Sequence, residues 1–376
     1  MNSKPRVAVV AASLDILGGQ GVQASRLVDA LARDGYAVTF LPINPRFPSG
    51  VRRIREIPYV RTSVNQMLYL PSLTRLASVD IVHVFSASYW SFLLAPVPAM
   101  AVARSLRKRV VLHYHSGEAD DHLSNWGRLV HPWLRLAHEI VVPSEYLRMV
   151  FARHGYPVRV IPNVVDLSRF GYRVRVPLRP RLLSARNFEP GYRVDVVLEA
   201  FARFKADVPE ATLTVAGCGS QEWHLRRLAG TLAGDSVRFV GAIDPEQMPA
   251  LYADADVFVN ASVIDNQPVS IIEALSAGLP VVSTPTGDIR FMLRDGDAGV
   301  LVPPDDPRAM AHALLALWRD PDRAMRLAQR ARRDATKYTW PAVRQQWAEA
   351  YAWCSFRPCP APHAVVDAWP VPGLRR

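Results

Sequence analysis

Short apolar runs rich in Val and Ile recur along the chain, and each is followed by a longer stretch whose apolar residues fall at helical spacing. The first half holds such runs at Val7 to Ala11, Ala37 to Leu41, Ile81 to Phe85, Val110 to His113, Glu139 to Val142 and Val158 to Ile161. The second half holds them at Arg181 to Ala185, Thr212 to Ala216, Val237 to Val240, Val257 to Val259, Val281 to Ser283 and Val300 to Val302. Runs that are apolar throughout predict parallel strands buried on both faces, and their alternation with helices predicts an α/β protein. Six runs in each half predict two similar doubly wound domains, which also suits a chain of 376 residues, more than one core usually organises.

Between the halves, turn formers and arginines from Pro162-Asn163 to about Arg179 predict a hinge. After Pro303-Pro304-Asp305-Asp306 come helices rich in Ala, Leu and Arg, and Tyr338-Thr339-Trp340-Pro341 opens a last aromatic helix that runs to about Trp353. Beyond it, prolines at 358, 360, 362, 370 and 372 predict an extended or disordered appendage.

Composition narrows the class: 49% hydrophobic and 21% charged residues describe a globular chain. Cys218, Cys354 and Cys359 form no spaced framework, which fits a reducing compartment, and the N-terminus lacks the series of a signal peptide. The longest uncharged stretch, Ser86 to Ala103, contains Pro96 and Pro98, which argues against a spanning helix. A cytoplasmic protein is expected. Charge then separates the halves: residues 1–180 carry 23 Lys and Arg against 11 Asp and Glu, the rest 22 against 23. Basic clusters at Arg52, Arg53, Arg55 and at Arg104, Arg107, Lys108, Arg109 suit an anionic membrane surface or a lipid-phosphate acceptor. No nucleic-acid module accompanies them, so no nucleic-acid partner is expected.

In an open α/β sheet, ligands bind where loops leave the C-terminal ends of strands. The most informative such place is DVFVNASVIDNQPVSIIEALSAGLPVVST, Asp256 to Thr284, which reads as strand, polar loop, helix and a Gly-Leu-Pro turn into the next strand. The helix that begins near Val269 and Ser270 presents free backbone N–H groups and a positive dipole end, a seat for a diphosphate. Arg186 and Arg193 follow the first strand of the second half, where two guanidinium groups can clamp a diphosphate. Gly18 and Gly19 follow the chain's first strand and let backbone N–H groups approach a phosphate or sugar, at a spacing of neither a dinucleotide fingerprint nor a P-loop. Asp254 and Asp256 read as cap and turn residues, and no metal is expected.

Together, Asp256–Thr284, Arg186–Asp195 and the Gly18-Gly19 loop resemble the family 4 glycosyltransferases, over about Arg6 to Trp353. The resemblance implies the GT-B fold: two Rossmann-like domains facing a cleft, with the C-terminal helix returning to the first. It implies residues 1–170 as the acceptor side, 171–337 as the nucleotide-sugar side, 338–355 as the crossover helix and 356–376 as a Pro-rich tail. In it Glu273 accepts hydrogen bonds from ribose hydroxyls, and the carboxylate eight positions earlier touches the transferred sugar. This chain has Asp265 there in place of the usual Glu, within Asp265-Asn266-Gln267-Pro268. Arg186 matches the family's arginine, whereas the usual lysine before a glycine is absent and Arg193 is the nearest cation. His115 matches the histidine that faces the sugar, while His113 alternates inward and is expected to pack. Gly217 and Gly219 resemble the glycine turn beside the nucleotide, and Val240 and Gly241 the segment that bonds the base. Glu118 is a candidate acid or base on the acceptor side.

The reading is a retaining, hexosyltransferase-type enzyme with a nucleotide-diphosphate sugar as co-substrate, no required cofactor, and a carbohydrate or lipid-linked acceptor. It would sit in the cytoplasm or peripherally on the inner membrane face. The rivals are a catalytically weak scaffold that binds a nucleotide sugar, and a nucleotide-sugar epimerase of similar shape.

Overall fold

The computed structural model describes residues 4–13, 19–46 and 58–356; Gly18, the arginines at 52, 53 and 55, and the tail beyond Phe356 lie outside these residues. All twelve apolar runs are strands. The first six are β1 (Val7–Ala11), β2 (Val38–Pro42), β3 (Ile81–Ser86), β4 (Arg109–Tyr114), β5 (Glu139–Val142) and β6 (Arg159–Val160). The second six are β7 (Arg181–Ala185), β8 (Thr212–Ala216), β9 (Val237–Gly241), β10 (Val257–Asn260), β11 (Val281–Ser283) and β12 (Val300–Leu301). They form two wholly parallel sheets, ordered β2-β1-β3-β4-β5-β6 and β12-β11-β10-β7-β8-β9.

Alternation within each run splits the cores by face. In the first sheet Ala8, Val10, Val82 and Val84 face one apolar layer, and Val7, Val9, Ile81 and Phe85 the other. In the second, Leu182, Leu213, Val257 and Val259 face one layer, and Leu183, Phe258 and Val281 the other. The chain reverses its direction of sheet growth between β1 and β3, and again between β7 and β10. At such switch points neighbouring loops diverge and leave a crevice at the C-terminal ends of the strands.

Two features tie the units together. The last helix, Trp340–Phe356, returns to the first unit, where Val343, Trp347, Ala350 and Tyr351 complete the layer of Val7, Val9 and Leu27. The connecting segment is only in part a hinge, because its second half is bolted to the second unit. Asp256, expected as a turn residue, is fully buried and meets Arg173 at 2.6 Å, Arg179 at 2.7 Å and Arg175 at 3.7 Å. The Arg175 guanidinium also donates to the carbonyls of Arg173, Tyr252, Ala255, Ala277 and Gly278. Its planar fork of N–H groups suits that set of acceptors, which a lysine could not reach together. Asp254, its neighbour, pairs with Arg181 on the surface at 2.7 Å.

Candidate functional site

The two crevices face each other across a cleft of about 610 Å³. The first unit contributes Ala12, Gly19 to Gln23, Ala87, His115 to Glu118 and Asn163; the second contributes Arg186, Tyr192, Gly217, Ala242, Ile243, Asp265 to Ser270 and Glu273. The loops after β1, β3, β4, β7, β8, β9 and β10 thus all reach the same space.

Arg186 stands at its centre. Its Nη2 donates to Asp265 Oδ2 at 2.6 Å, its Nη1 to Ser270 Oγ at 3.2 Å, and the Tyr192 ring lies 4.2 Å from the guanidinium carbon. Its Nε is buried without a partner. Beside it, the helix Val269–Ala277 starts at Pro268 with no side-chain cap, so its first N–H groups point at the cleft unclaimed. The helix ends at Gly278 with φ 70°, a left-handed cap that lets the chain turn directly into β11.

Glu273, one turn into that helix, is held from two sides. Arg26 of the first unit donates to its Oε1 at 3.0 Å, and Tyr252 donates to its Oε2 at 3.1 Å. Burial pushes its ionisation upward, and Arg26 opposes that by favouring the charged form. Arg26 had no signal in the sequence, since its partner lies 247 positions away.

Asp265 spends its carboxylate on Arg186 and Ser262, with Oδ1 accepting the N–H of Asn266. Asn266 and Gln267 line the cleft but also stitch the units together. Asn266 accepts a bond from Ser144 Oγ and donates to the His115 carbonyl at 3.1 Å; Gln267 accepts from the Asn163 N–H at 2.8 Å. Gly117 approaches so closely that a Cβ there would sit 2.6 Å from the Asp265 carbonyl oxygen.

His115 packs between Phe85, stacked at 5.0 Å, and His113, with ring centroids 4.0 Å apart. Burial pushes it down to about 3, so it is a neutral hydrogen-bonding group, with a sealed Nε2 that has no protein partner. His113 packs inward as expected and meets His83 Nε2 at 3.2 Å. Gly217, with φ 147°, passes so near that a Cβ would overlap the Arg186 carbonyl, so no larger residue fits. Gly219, Val240 and Gly241 stand just behind the lining, which Cys218, Ala242 and Ile243 supply instead.

Arg193 is a correction. It does not line the cleft; its guanidinium is bridged to Asp195 at 3.1 Å and to Asp305. The reason is local: Arg193 has φ 47° and ψ 47°, and this left-handed turn between Pro190–Tyr192 and the helix Val194–Asp207 brings Tyr192 to the cleft instead.

Asp288 joins the units from the opposite side. Its Oδ1 accepts the N–H groups of Glu145 and Tyr146 at the start of a first-unit helix, at 3.1 and 3.4 Å, and its Oδ2 accepts from Gln267 at 2.9 Å. Burial pushes it up to about 6 from 3.8. The folded chain therefore holds a proton that the unfolded chain has released; the cost of the buried charge is full above pH 6 and is relieved as pH falls toward 4. Relative to an Asp288→Asn variant, wild type is expected to gain about 1 kcal/mol of unfolding free energy between pH 7 and pH 5. A wild-type-minus-variant difference in urea midpoint that moves in favour of wild type from pH 7 to pH 5 would show it, and a constant difference across that range would contradict it.

Comparison with known proteins now bears on this geometry. The family model described as Glycosyltransferase Family 4 matches residues 17–169, and that described as Glycosyl transferases group 1 matches residues 179–320. A phosphatidyl-myo-inositol mannosyltransferase of Mycolicibacterium smegmatis is 27% identical over 90% of this chain and 91% of its own. A glycogen synthase of Mycobacterium tuberculosis is 28% identical over 89% and 91%. Among solved structures, sucrose-phosphate synthase of Thermosynechococcus elongatus superposes with a TM-score of 0.76 at 21% identity, over 93% of this chain and 98% of the other. HepE of Anabaena in complex with UDP-glucose superposes with a TM-score of 0.73 at 18% identity, over 93% and 100%.

Proposed function

This chain belongs to the family 4 glycosyltransferases and has their GT-B fold, and from that premise we propose that it moves a hexosyl group from a nucleoside-diphosphate sugar to a carbohydrate or lipid-linked acceptor with retention of configuration. The observation that carries the reading is the convergence on one cleft of Arg186, an uncapped helix start and Glu273 from one unit, and His115, Glu118 and the helix start at Gly19 from the other.

In this reading the donor diphosphate lies between Arg186 and the N–H groups of Val269 and Ser270, its ribose against Glu273, and its sugar beside His115 and Asp265. Preorganised donors aimed at the departing phosphate supply the main rate gain. A single in-line displacement would invert the anomeric carbon, so retention without a covalent intermediate requires the acceptor hydroxyl to attack from the face the phosphate leaves, the course that the family resemblance implies. His115 is neutral and serves as a hydrogen-bonding contact, not as an acid. A lipid-linked acceptor is favoured by the basic first half and by the acceptor in the name of the mannosyltransferase relative. The same charge suits a peripheral position on an anionic membrane in the cytoplasm; no helix among the described residues is long and apolar enough to cross one.

The test is mass-spectrometric detection of nucleoside diphosphate from a panel of UDP-, GDP-, ADP- and TDP-sugars with a broad acceptor extract. One donor is expected to turn over, and Glu273→Ala is expected to slow that reaction by about ten- to hundredfold through loss of the ribose bonds. Tight nucleotide binding with no turnover would favour the scaffold reading; interconversion of the free nucleotide sugar would favour an epimerase.

A further inference from the structure

We propose that Tyr192 supplies the second side-chain hydrogen-bond donor to the donor diphosphate, in the place where the sequence leads one to expect a second cation. For its catalytic part the inference rests on the transferase reading above; for nucleotide binding it stands without it.

Arg186 is the only Arg or Lys among the described residues that line the cleft. The neighbouring cation, Arg193, is engaged by Asp195 and Asp305 on the far side of a left-handed turn. That turn places Tyr192 in the lining, with its ring against the Arg186 guanidinium at 4.2 Å. Its hydroxyl, on a side chain only partly buried, forms no hydrogen bond with any described residue, and the Nε of the guanidinium on which its ring stacks is buried without a partner. Native interiors rarely leave a buried donor such as the Arg186 Nε unpaired, which points to a ligand acceptor there, and the unbonded hydroxyl of the ring stacked on that guanidinium is a further donor for the same anion. Burial, with Asp265, Glu189 and Glu118 nearby, pushes the Tyr192 hydroxyl upward despite Arg186, so it keeps its proton and can only donate to a phosphate oxygen.

In the transfer step, the bond between the anomeric carbon and the phosphate oxygen breaks and its electron pair stays on that oxygen. The acceptor hydroxyl oxygen forms the new bond to carbon, and its proton passes to the departing phosphate. Tyr192 remains protonated throughout and donates to the diphosphate as its charge grows, a contribution that strengthens toward the transition state. Beside the backbone N–H groups of Val269 and Ser270, the leaving-group site thus holds one fixed cation and one neutral side-chain donor.

Two variants separate this from the alternative. Tyr192→Phe keeps the ring on Arg186 and removes only the hydroxyl. Arg193→Gly removes the cation at a backbone position that glycine adopts without strain. By calorimetry with UDP, or with GDP if that is the nucleotide bound, Tyr192→Phe is expected to raise Kd about tenfold and Arg193→Gly less than about twofold. With the donor that turns over, Tyr192→Phe is expected to lower kcat about ten- to hundredfold at an unchanged thermal midpoint. Wild-type binding and turnover in Tyr192→Phe would overturn the proposal, as would a loss confined to Arg193→Gly, which would return the second contact to Arg193. Wild-type protein that binds UDP but turns over no donor would sink the transferase reading alone, since the Kd comparison still decides the role of Tyr192 at the phosphates.

Discussion

Arg186→Ala is expected to slow nucleoside diphosphate release by about two to three powers of ten at saturating donor, the cost of removing one preorganised donor from a site where charge develops. Three contacts end with that side chain: the ion pair to Asp265, the bond to Ser270 and the stack on Tyr192. The leaving group would lose its only cation from the described lining, and Asp265 would keep Ser262 and the Asn266 N–H but no counter-charge. Arg186→Lys restores charge without the planar fork and cannot serve Asp265, Ser270 and a phosphate together, so it is expected to recover only part of the rate. Donor release assayed by mass spectrometry, beside a thermal midpoint for each variant, measures both. An alanine variant within about threefold of wild type would remove Arg186 from the chemistry.

The largest effect on stability is expected far from the cleft. Asp256→Asn should lower the unfolding free energy by about 3 to 5 kcal/mol, because breaking a buried ion pair strands the charge left behind. Arg175 is that charge. It is buried, its ionisation is already lowered to about 10 by burial, and Asp256 is the carboxylate that opposes the shift. Arg179→Ala is the control: that side chain is more than a third exposed, its bond to Asp256 is one of three arginine contacts, and its loss should cost about 1 kcal/mol or less. Urea midpoints of the two variants read the difference. Equal, small losses would mean that the carbonyl bonds of Arg175 hold the segment without Asp256.

What the sequence disclosed follows from what local pattern encodes. Interior strands such as β1 and β10 were legible because a strand buried on both faces is apolar nearly throughout, while the only partly buried edge strands β2, β6, β9 and β12 were read from their short Val-, Ile- and Leu-containing runs. The cleft was legible because strand-end loops must carry the ligand in such sheets, and Arg186, Asp265 and Glu273 sit in two of them or just beyond. What stayed hidden depends on direction, not spacing. Arg193 and Tyr192 are adjacent, and one left-handed residue decides which of them lines the cleft. Asp256 read as an ordinary cap or turn carboxylate and Asp288 carried no signal, since their partners come from Arg173 to Arg179 in one case and from residues 145 and 146 in the other. Arg26 is one arginine among many on helices until the second unit folds against it.

The return of the Trp340–Phe356 helix bears on how the protein is made. Val7, Val9 and Leu27 emerge early from the ribosome, yet Trp347 and Tyr351, which complete their apolar layer, are among the last residues of the fold to emerge. At elongation rates of about 5–20 residues per second, that layer stays incomplete for roughly 10 to 60 seconds of synthesis. The second unit is closed over its own two layers sooner than the first, where one face of the β-sheet waits covered only in part by the helix Gly19–Arg33. A nascent chain of this design therefore gives chaperones a long window on its N-terminal half, and a ribosome that stalls before codon 340 leaves that half unfinished.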